Sequence, residues 1–135
     1  MKKTSLFAIA LILLVASSAC GSYTAVDAPE SLATVPPDFA GKTNLLGPDA
    51  STAGVAIFKT DCASCHGNTG LGDGIAGKSM DPRPANLAAL NKTVADDFLY
   101  WRISTGVEGT AMPAWHGLLD DQQIWQVIAF IRSLK

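Results

Sequence analysis

The sequence has little charge, few cysteines and fewer histidines, and each scarcity narrows what it can do. Charged residues make up 16% of its 135 positions, and Lys and Arg (10) do not outnumber Asp and Glu (12). Nucleic-acid binding needs a basic patch, so that class is excluded. A tetrahedral zinc site wants four ligands, and beyond Cys20 only Cys62, Cys65, His66 and His116 are at hand, the first three crowded into one turn, which argues against zinc. No stretch alternates apolar and polar residues as a strand would. The expected class is therefore all-α. A thiol–disulfide centre normally accompanies a βαβ pattern, which is absent here.

No apolar run is long enough to cross a bilayer comfortably. The longest, Leu6 to Ala16, follows the basic start Met1-Lys2-Lys3 and reads as the core of a signal peptide over residues 1–19. Ala16-Ser17-Ser18-Ala19-Cys20-Gly21 then resembles a bacterial lipoprotein processing site, although Ser17 stands where an aliphatic residue is usual. On that reading Cys20 carries lipid and tethers the chain to a membrane surface. Ordinary cleavage near Ala19 is the alternative. Either way the mature chain is expected outside the cytoplasm, in the periplasm or on the outer face of the membrane. Loss of Lys2 and Lys3 leaves eight basic against twelve acidic residues, a formal −4. Residues 20–48 are expected to be an anchor and flexible tether, with Pro36 to Lys42 able to dock through Phe39.

What is present is Cys62-Ala63-Ser64-Cys65-His66, a C-x-x-C-H run. This is the pattern of c-type haem attachment. Two thiols three residues apart reach the two vinyl groups on one haem edge, and the adjacent imidazole lies over the iron. With Cys62 and Cys65 so used and Cys20 processed, no cysteine remains for a disulfide. None is needed, since the haem staples and fills the core.

A helix is expected from near Asp49 or Ser51, with Gly54, Ile57, Phe58 and Cys62 near one face. Gly72-Asp73-Gly74-Ile75-Ala76-Gly77 spells G-x-G-x-x-G, but no strand precedes it and prolines follow, so a dinucleotide site is rejected. Thr93 offers a cap for a second helix, with Asp96 and Asp97 in its first turn and Gly106 at its end. Val94, Phe98, Leu99, Trp101 and Ile103 form its stripe. Asp120-Asp121-Gln122-Gln123 opens a third helix with Ile124, Val127, Ile128, Ile131 and Leu134 at helical spacing and Arg132 at its far end.

The sixth iron position decides what such a haem does. Met80, Met112 and His116 are the candidates. Met112 precedes Pro113, which removes a donor and favours an extended loop suited to presenting a thioether. Met112 is the expected ligand, opposite His66. A Met/His pair favours reduced iron and closes it to substrate, which points to electron transfer and away from an enzyme.

From about Asp49 to Lys135 the chain resembles class I bacterial cytochromes c. The resemblance rests on the order Gly54-x-x-x-Phe58, Cys62-x-x-Cys65-His66, Pro84 to Leu87, a middle helix, Met112-Pro113 and an aromatic-rich final helix. It implies a small all-α cytochrome c domain over 49–135 wrapped around one covalent haem c. It also implies first and last helices crossing closely at Gly54, with Trp125, Ile128 or Phe130 packed there. A loop carbonyl at Pro82 or Pro84 would receive the free N–H of His66. Arg83 and Arg102 are candidate partners of the haem carboxylates. The function then expected is a one-electron carrier. Its donor would be a quinol-oxidising complex or dehydrogenase, and its acceptor an oxidase or reductase. A haem subunit of a larger complex is the alternative. A peroxidase or a gas sensor would need an open iron.

Overall fold

A computed structural model describes residues 32–47 and 49–135 of the chain. The expected signal peptide and Cys20 lie outside the described residues. The compact unit runs from Ala33 to Lys135. Its described residues are helical and hold no strand, only an isolated bridge between His116 and Leu119. The all-α expectation holds.

The first helical stretch is α1 (Ala50–Ile57), a π-helical turn (Phe58–Cys62) and α2 (Ala63–His66). It starts where the sequence suggested, but the Asp49 side chain makes no capping bond. A 3-10 turn (Gly77–Ser79) follows, then α3 (Leu87–Leu90), capped by Asn86, whose side chain accepts from the Ala89 N–H at 2.9 Å. The middle helix α4 (Asp96–Thr105) is capped by Ala95 and not by Thr93. Thr93 still belongs to the turn that closes α3, and its hydroxyl donates to the Leu90 carbonyl at 2.9 Å. The final helix α5 (Asp121–Ser133) has the expected start. Asp120 accepts from the Gln123 N–H, and the Gln123 side chain accepts from the Asp120 N–H, a reciprocal capping box.

The core forms where α1 and α4 meet α5. Ile124, Val127, Ile128 and Ile131 fall on one face of α5, and Phe58, Leu99 and Ile103 pack against them. Each such side chain contributes about 1.5–3 kcal/mol by leaving water. The α1–α5 crossing is close because Gly54 has no side chain. A Cβ there would lie 1.9 Å from the Gln126 carbonyl oxygen and 3.1 Å from the Phe130 Cβ. Phe58, fully buried, meets the Phe130 ring at 4.9 Å between centroids. Phe130 thus packs at the crossing as expected, and Ile128 lies in the core. Trp125 instead stacks on Tyr100, 4.5 Å away and 26° from parallel.

Within the expected tether, the stretch from Pro36 to Asn44 lies against α4 and α5. Phe39 packs on Tyr100 at 6.2 Å, and Lys42 sits 5.3 Å above the same ring. The Gly41 N–H donates to Asp97 (2.9 Å), the Asn44 N–H to Asp96 (3.0 Å) and the Asn44 amide to the Trp125 carbonyl (2.8 Å). The acids expected to favour the helix dipole therefore also hold this strap. Asp96 further pairs with Arg132 at 2.8 Å, the one ion pair among the described residues. Among those residues no helix is long and apolar enough to cross a membrane.

Candidate haem site

Cys62, Cys65 and His66 share the end of the first helical stretch. Cys62 closes the π turn, and Cys65 and His66 lie on α2. One extra residue per turn shifts every later side chain around the axis, and π turns often mark functional sites. The turn thus sets which way the motif faces relative to Gly54 and Phe58. Cys62 is half-buried against the core, and neither Cys62 nor Cys65 is in a disulfide.

The loop after His66 folds back over the helix end and satisfies its last carbonyls. The N–H groups of Gly72, Gly74 and Ala76 donate to the carbonyls of His66 (2.9 Å), Cys65 (3.1 Å) and Ser64 (2.9 Å). This explains the G-x-G-x-x-G run without a nucleotide. A Cβ on Gly74 would lie 2.4 Å from the Ser64 carbonyl oxygen, and one on Gly77 would lie 2.3 Å from that of Cys65. The glycines are what let the loop lie directly on the turn that carries Cys62, Cys65 and His66.

His66 is half-buried, and its Nδ1–H donates to the Ala85 carbonyl at 3.2 Å. The acceptor is therefore Ala85, not the carbonyl of Pro82 or Pro84. The two prolines shape the loop, and the carbonyl one residue beyond Pro84 reaches the ring. This bond places the proton on Nδ1 and leaves Nε2 with its lone pair available, the form in which histidine binds a metal. Burial lowers the His66 pKa, against an opposing pull from the Ala85 bond, and so favours the neutral ring. Burial, then the charge of Asp61 and then Cys65, push the Cys62 thiol up to about 12. Such a thiol is protonated at neutral pH, whereas thiol–disulfide catalysts lower theirs. Among the described residues no three His, Cys, Asp or Glu side chains converge as metal ligands. The donor set suits a haem, which brings four iron ligands of its own, and does not suit zinc.

Met112 lies between α4 and α5, half-buried and packed against the core. From Met112 to Trp115 the chain is neither helix nor turn, as Pro113 suggested. Its backbone is braced: the Met112 N–H donates to the Thr110 hydroxyl (3.1 Å) and its carbonyl accepts from Val107 (3.2 Å). Gly106, at φ 71°, ends α4 directly beneath it. A Cβ there would lie 2.6 Å from the Met112 carbonyl oxygen. The Trp115 and His116 N–H groups bond to the carbonyls of Ile103 (3.0 Å) and Ser104 (3.2 Å), which tie the loop to α4. Met80 follows the 3-10 turn outside the core, and the His116 side chain is exposed. Sequence reasoning missed Ala85, because a backbone acceptor carries no side-chain signature.

The family described as cytochrome C oxidase, cbb3-type, subunit III matches residues 49–131. Photosystem II extrinsic protein V of Synechocystis sp. is 39% identical over 100 residues, covering 67% of this chain and 61% of that protein. Cytochrome c55X of Stutzerimonas stutzeri is 36% identical over 71 residues, covering 50% and 53%. Among solved structures, a chain of the Kuenenia stuttgartiensis reducing HAO-like protein complex aligns with a TM-score of 0.57 at 27% identity, covering 67% of this chain and 47% of that one. The chain thus spans at most 61% of the length of these three relatives.

Proposed function

The chain belongs to the family of cytochrome C oxidase, cbb3-type, subunit III, and its cofactor is covalently bound haem c; from this we propose that it passes single electrons between redox proteins, with the iron held by His66 and Met112. One observation carries the reading. The His66 ring is fixed through Nδ1 by Ala85, which leaves Nε2 available on the same helix end as Cys62 and Cys65.

When bound, the haem supplies a one-electron iron couple. Cys62 and Cys65 would hold it through thioether bonds, so that it is retained in both oxidation states. The Ala85 carbonyl keeps the imidazole proton on Nδ1 and makes Nε2 a stronger donor. Met112, on a loop tied to α4, offers a soft thioether that favours the reduced state. The packed core behind Cys62 and Met112 excludes water and keeps the ligands still, which limits reorganisation. With His66 and Met112 both holding the iron, no place would remain for a substrate, and a carrier would fit better than a peroxidase or gas sensor.

The leader pattern supports an exported chain, in the periplasm or tethered through Cys20 on the outer face of the membrane. There a quinol-oxidising complex or dehydrogenase would be the donor, and an oxidase or reductase the acceptor. A second reading, a resident subunit of a larger complex, is favoured by the matched family's description as a subunit and by a solved relative that belongs to a complex. Carbon monoxide added to the native ferrous protein at neutral pH tests the central point. A carrier with both positions filled leaves the spectrum unchanged. Prompt formation of a carbonyl complex would point to an open iron and defeat the reading. Co-purification of other chains after gentle solubilisation distinguishes the subunit from the shuttle.

A further inference from the structure

The strap from Pro36 to Asn44 consists of exposed and half-buried residues, yet it holds two helices at once. Its grip is the Phe39 contact with Tyr100, Lys42 above the same ring and three hydrogen bonds. Two of those bonds come from Asn44. Its N–H donates to Asp96 on α4, and its side-chain amide donates to the Trp125 carbonyl on α5. Asn44 thus bridges the two helices, while Phe39 and Trp125 both meet the Tyr100 ring. A segment with so few buried contacts opens at lower cost than the core, so the strap can leave while the core stays folded.

What the strap grips is the helix that carries the Met112 loop. That helix, α4, has 10 residues and is about 15 Å long. Asp96 and Asp97 in its first turn and Tyr100 in its second receive the strap. Its C-terminal end receives the loop: the Ile103 and Ser104 carbonyls accept from Trp115 and His116, and Gly106 lies against the Met112 backbone. So short a helix shifts as one body, and a change at its first turn carries to its last. The Asp96–Arg132 pair and the core contact with α5 remain when the strap leaves, so α4 loosens without coming away. We propose that the strap is a latch on α4: docked, it keeps the Met112 loop closed over the iron, and released, it opens the sixth position to an outside ligand. This rests on the reading that Met112 binds the iron. Since the strap is the end of the expected tether that meets the domain, a hold on the chain upstream reaches the iron through it. Coupling of this kind is reciprocal, so Met112 on the iron favours the docked strap by the same factor.

The probe is imidazole, titrated at equilibrium against the haem-loaded ferric protein, native and with Phe39→Ala and Asn44→Ala combined. Imidazole competes with Met112, so a released strap raises its apparent affinity. A rise of about fivefold or more is expected in the double variant, with a weaker far-red sulfur-to-iron band. Ile131→Ala is the control for lost stability, since it opens a cavity in the core near the opposite end of α5 from Trp125. An equal rise in Ile131→Ala, or native affinity in the strap variant, overturns the latch. The reciprocal arm reads amide hydrogen exchange at Gly41 and Asn44 in native and Met112→Ala proteins. Faster exchange in Met112→Ala supports the coupling, and unchanged exchange overturns it. Should the strap variant not retain haem, this second arm decides alone. A native protein that lacks the far-red band defeats the Met112 reading itself, whereas a native band with imidazole affinity indifferent to the strap defeats only the latch, so the two failures are distinguishable.

Discussion

Gly54→Ala tests whether backbone contact between α1 and α5 is what the fold is built on. The added methyl would sit 1.9 Å from the Gln126 carbonyl oxygen and 2.5 Å from its carbon. Ordinary contact lies near 3.4 Å, so the helices must separate by roughly 1.5 Å at that point. The obstacle is backbone, which cannot rotate aside as a side chain can. Phe58, Ile124 and Ile128 beside the crossing have no measurable exposure, so separation opens gaps around all three. Overpacking of this kind costs about 1–3 kcal/mol, and the upper end applies to a clash with main chain. Alanine returns up to about 1 kcal/mol through its better helix propensity. The net loss is about 2 kcal/mol, or roughly 10 °C in Tm for a domain of this size. Gly47→Ala is the control, because a Cβ there meets nothing within 4 Å. Its expected change is within about 0.5 kcal/mol. Thermal and guanidinium unfolding of the haem-loaded protein, followed by far-ultraviolet circular dichroism, gives both values. A Gly54→Ala protein as stable as native, or a Gly47→Ala loss of equal size, would refute the reasoning.

Three further outcomes are expected. Tyr100 donates to Asp121 at 2.6 Å, and burial first, then that bond, raise its pKa above the usual 10.0. A raised acid stabilises the fold below its unfolded pKa and loses that contribution as pH climbs through the folded value. Tyr100→Phe should therefore cost about 1 kcal/mol near neutrality, with a gap that narrows above pH 10, and a gap constant with pH would count against this. Asn91, buried, directs its amide to the carbonyls of Ala88, Ile131 and Leu134 at 3.3, 3.1 and 3.4 Å. Asn91→Ala should cost about 2 kcal/mol and loosen the C-terminal end of α5 in hydrogen exchange, and native protection there would be the contrary result. Gly106→Ala meets both a positive φ and the Met112 backbone, so the variant should admit carbon monoxide to the ferrous iron while Cys62 and Cys65 keep the haem attached.

Much of this was legible in the residues because side chains announce themselves by type and spacing. Cys62, Cys65 and His66 sit at a spacing that suits one chemistry. The stripe on α5 and the Asp120/Gln123 cap each obey a short-range rule, and Gly54 stands where helix-to-helix approach needs it. Met112 was singled out by its proline neighbour, and the structure puts it on an irregular loop against the core. The features that escaped are those made by main chain or by partners distant in sequence. The Ala85 carbonyl looks like any other until the loop is folded. Asn86 caps α3 because the chain leaves extended backbone there, while Thr93, with an equally good side chain, is still inside the preceding turn. The π turn leaves no mark on the period of so short a helix. Tyr100 falls off the expected stripe on α4, yet it is buried because the strap supplies Phe39 and α5 supplies Trp125. Arg132 read as a cation at the far end of a helix, and nothing in the sequence singled out Asn91. Only the fold brings them together at the C-terminal end of α5.

The most direct test of the central claim is the absorption spectrum of the oxidised protein with and without the Met112 sulfur. Native protein should show a low-spin c-type spectrum with the weak far-red sulfur-to-iron band, and its haem should survive acid-acetone extraction. Met112→Ala should lose that band and fall steeply in potential. A Met112→Ala spectrum identical to native would contradict the account and move the ligand to Met80 or His116.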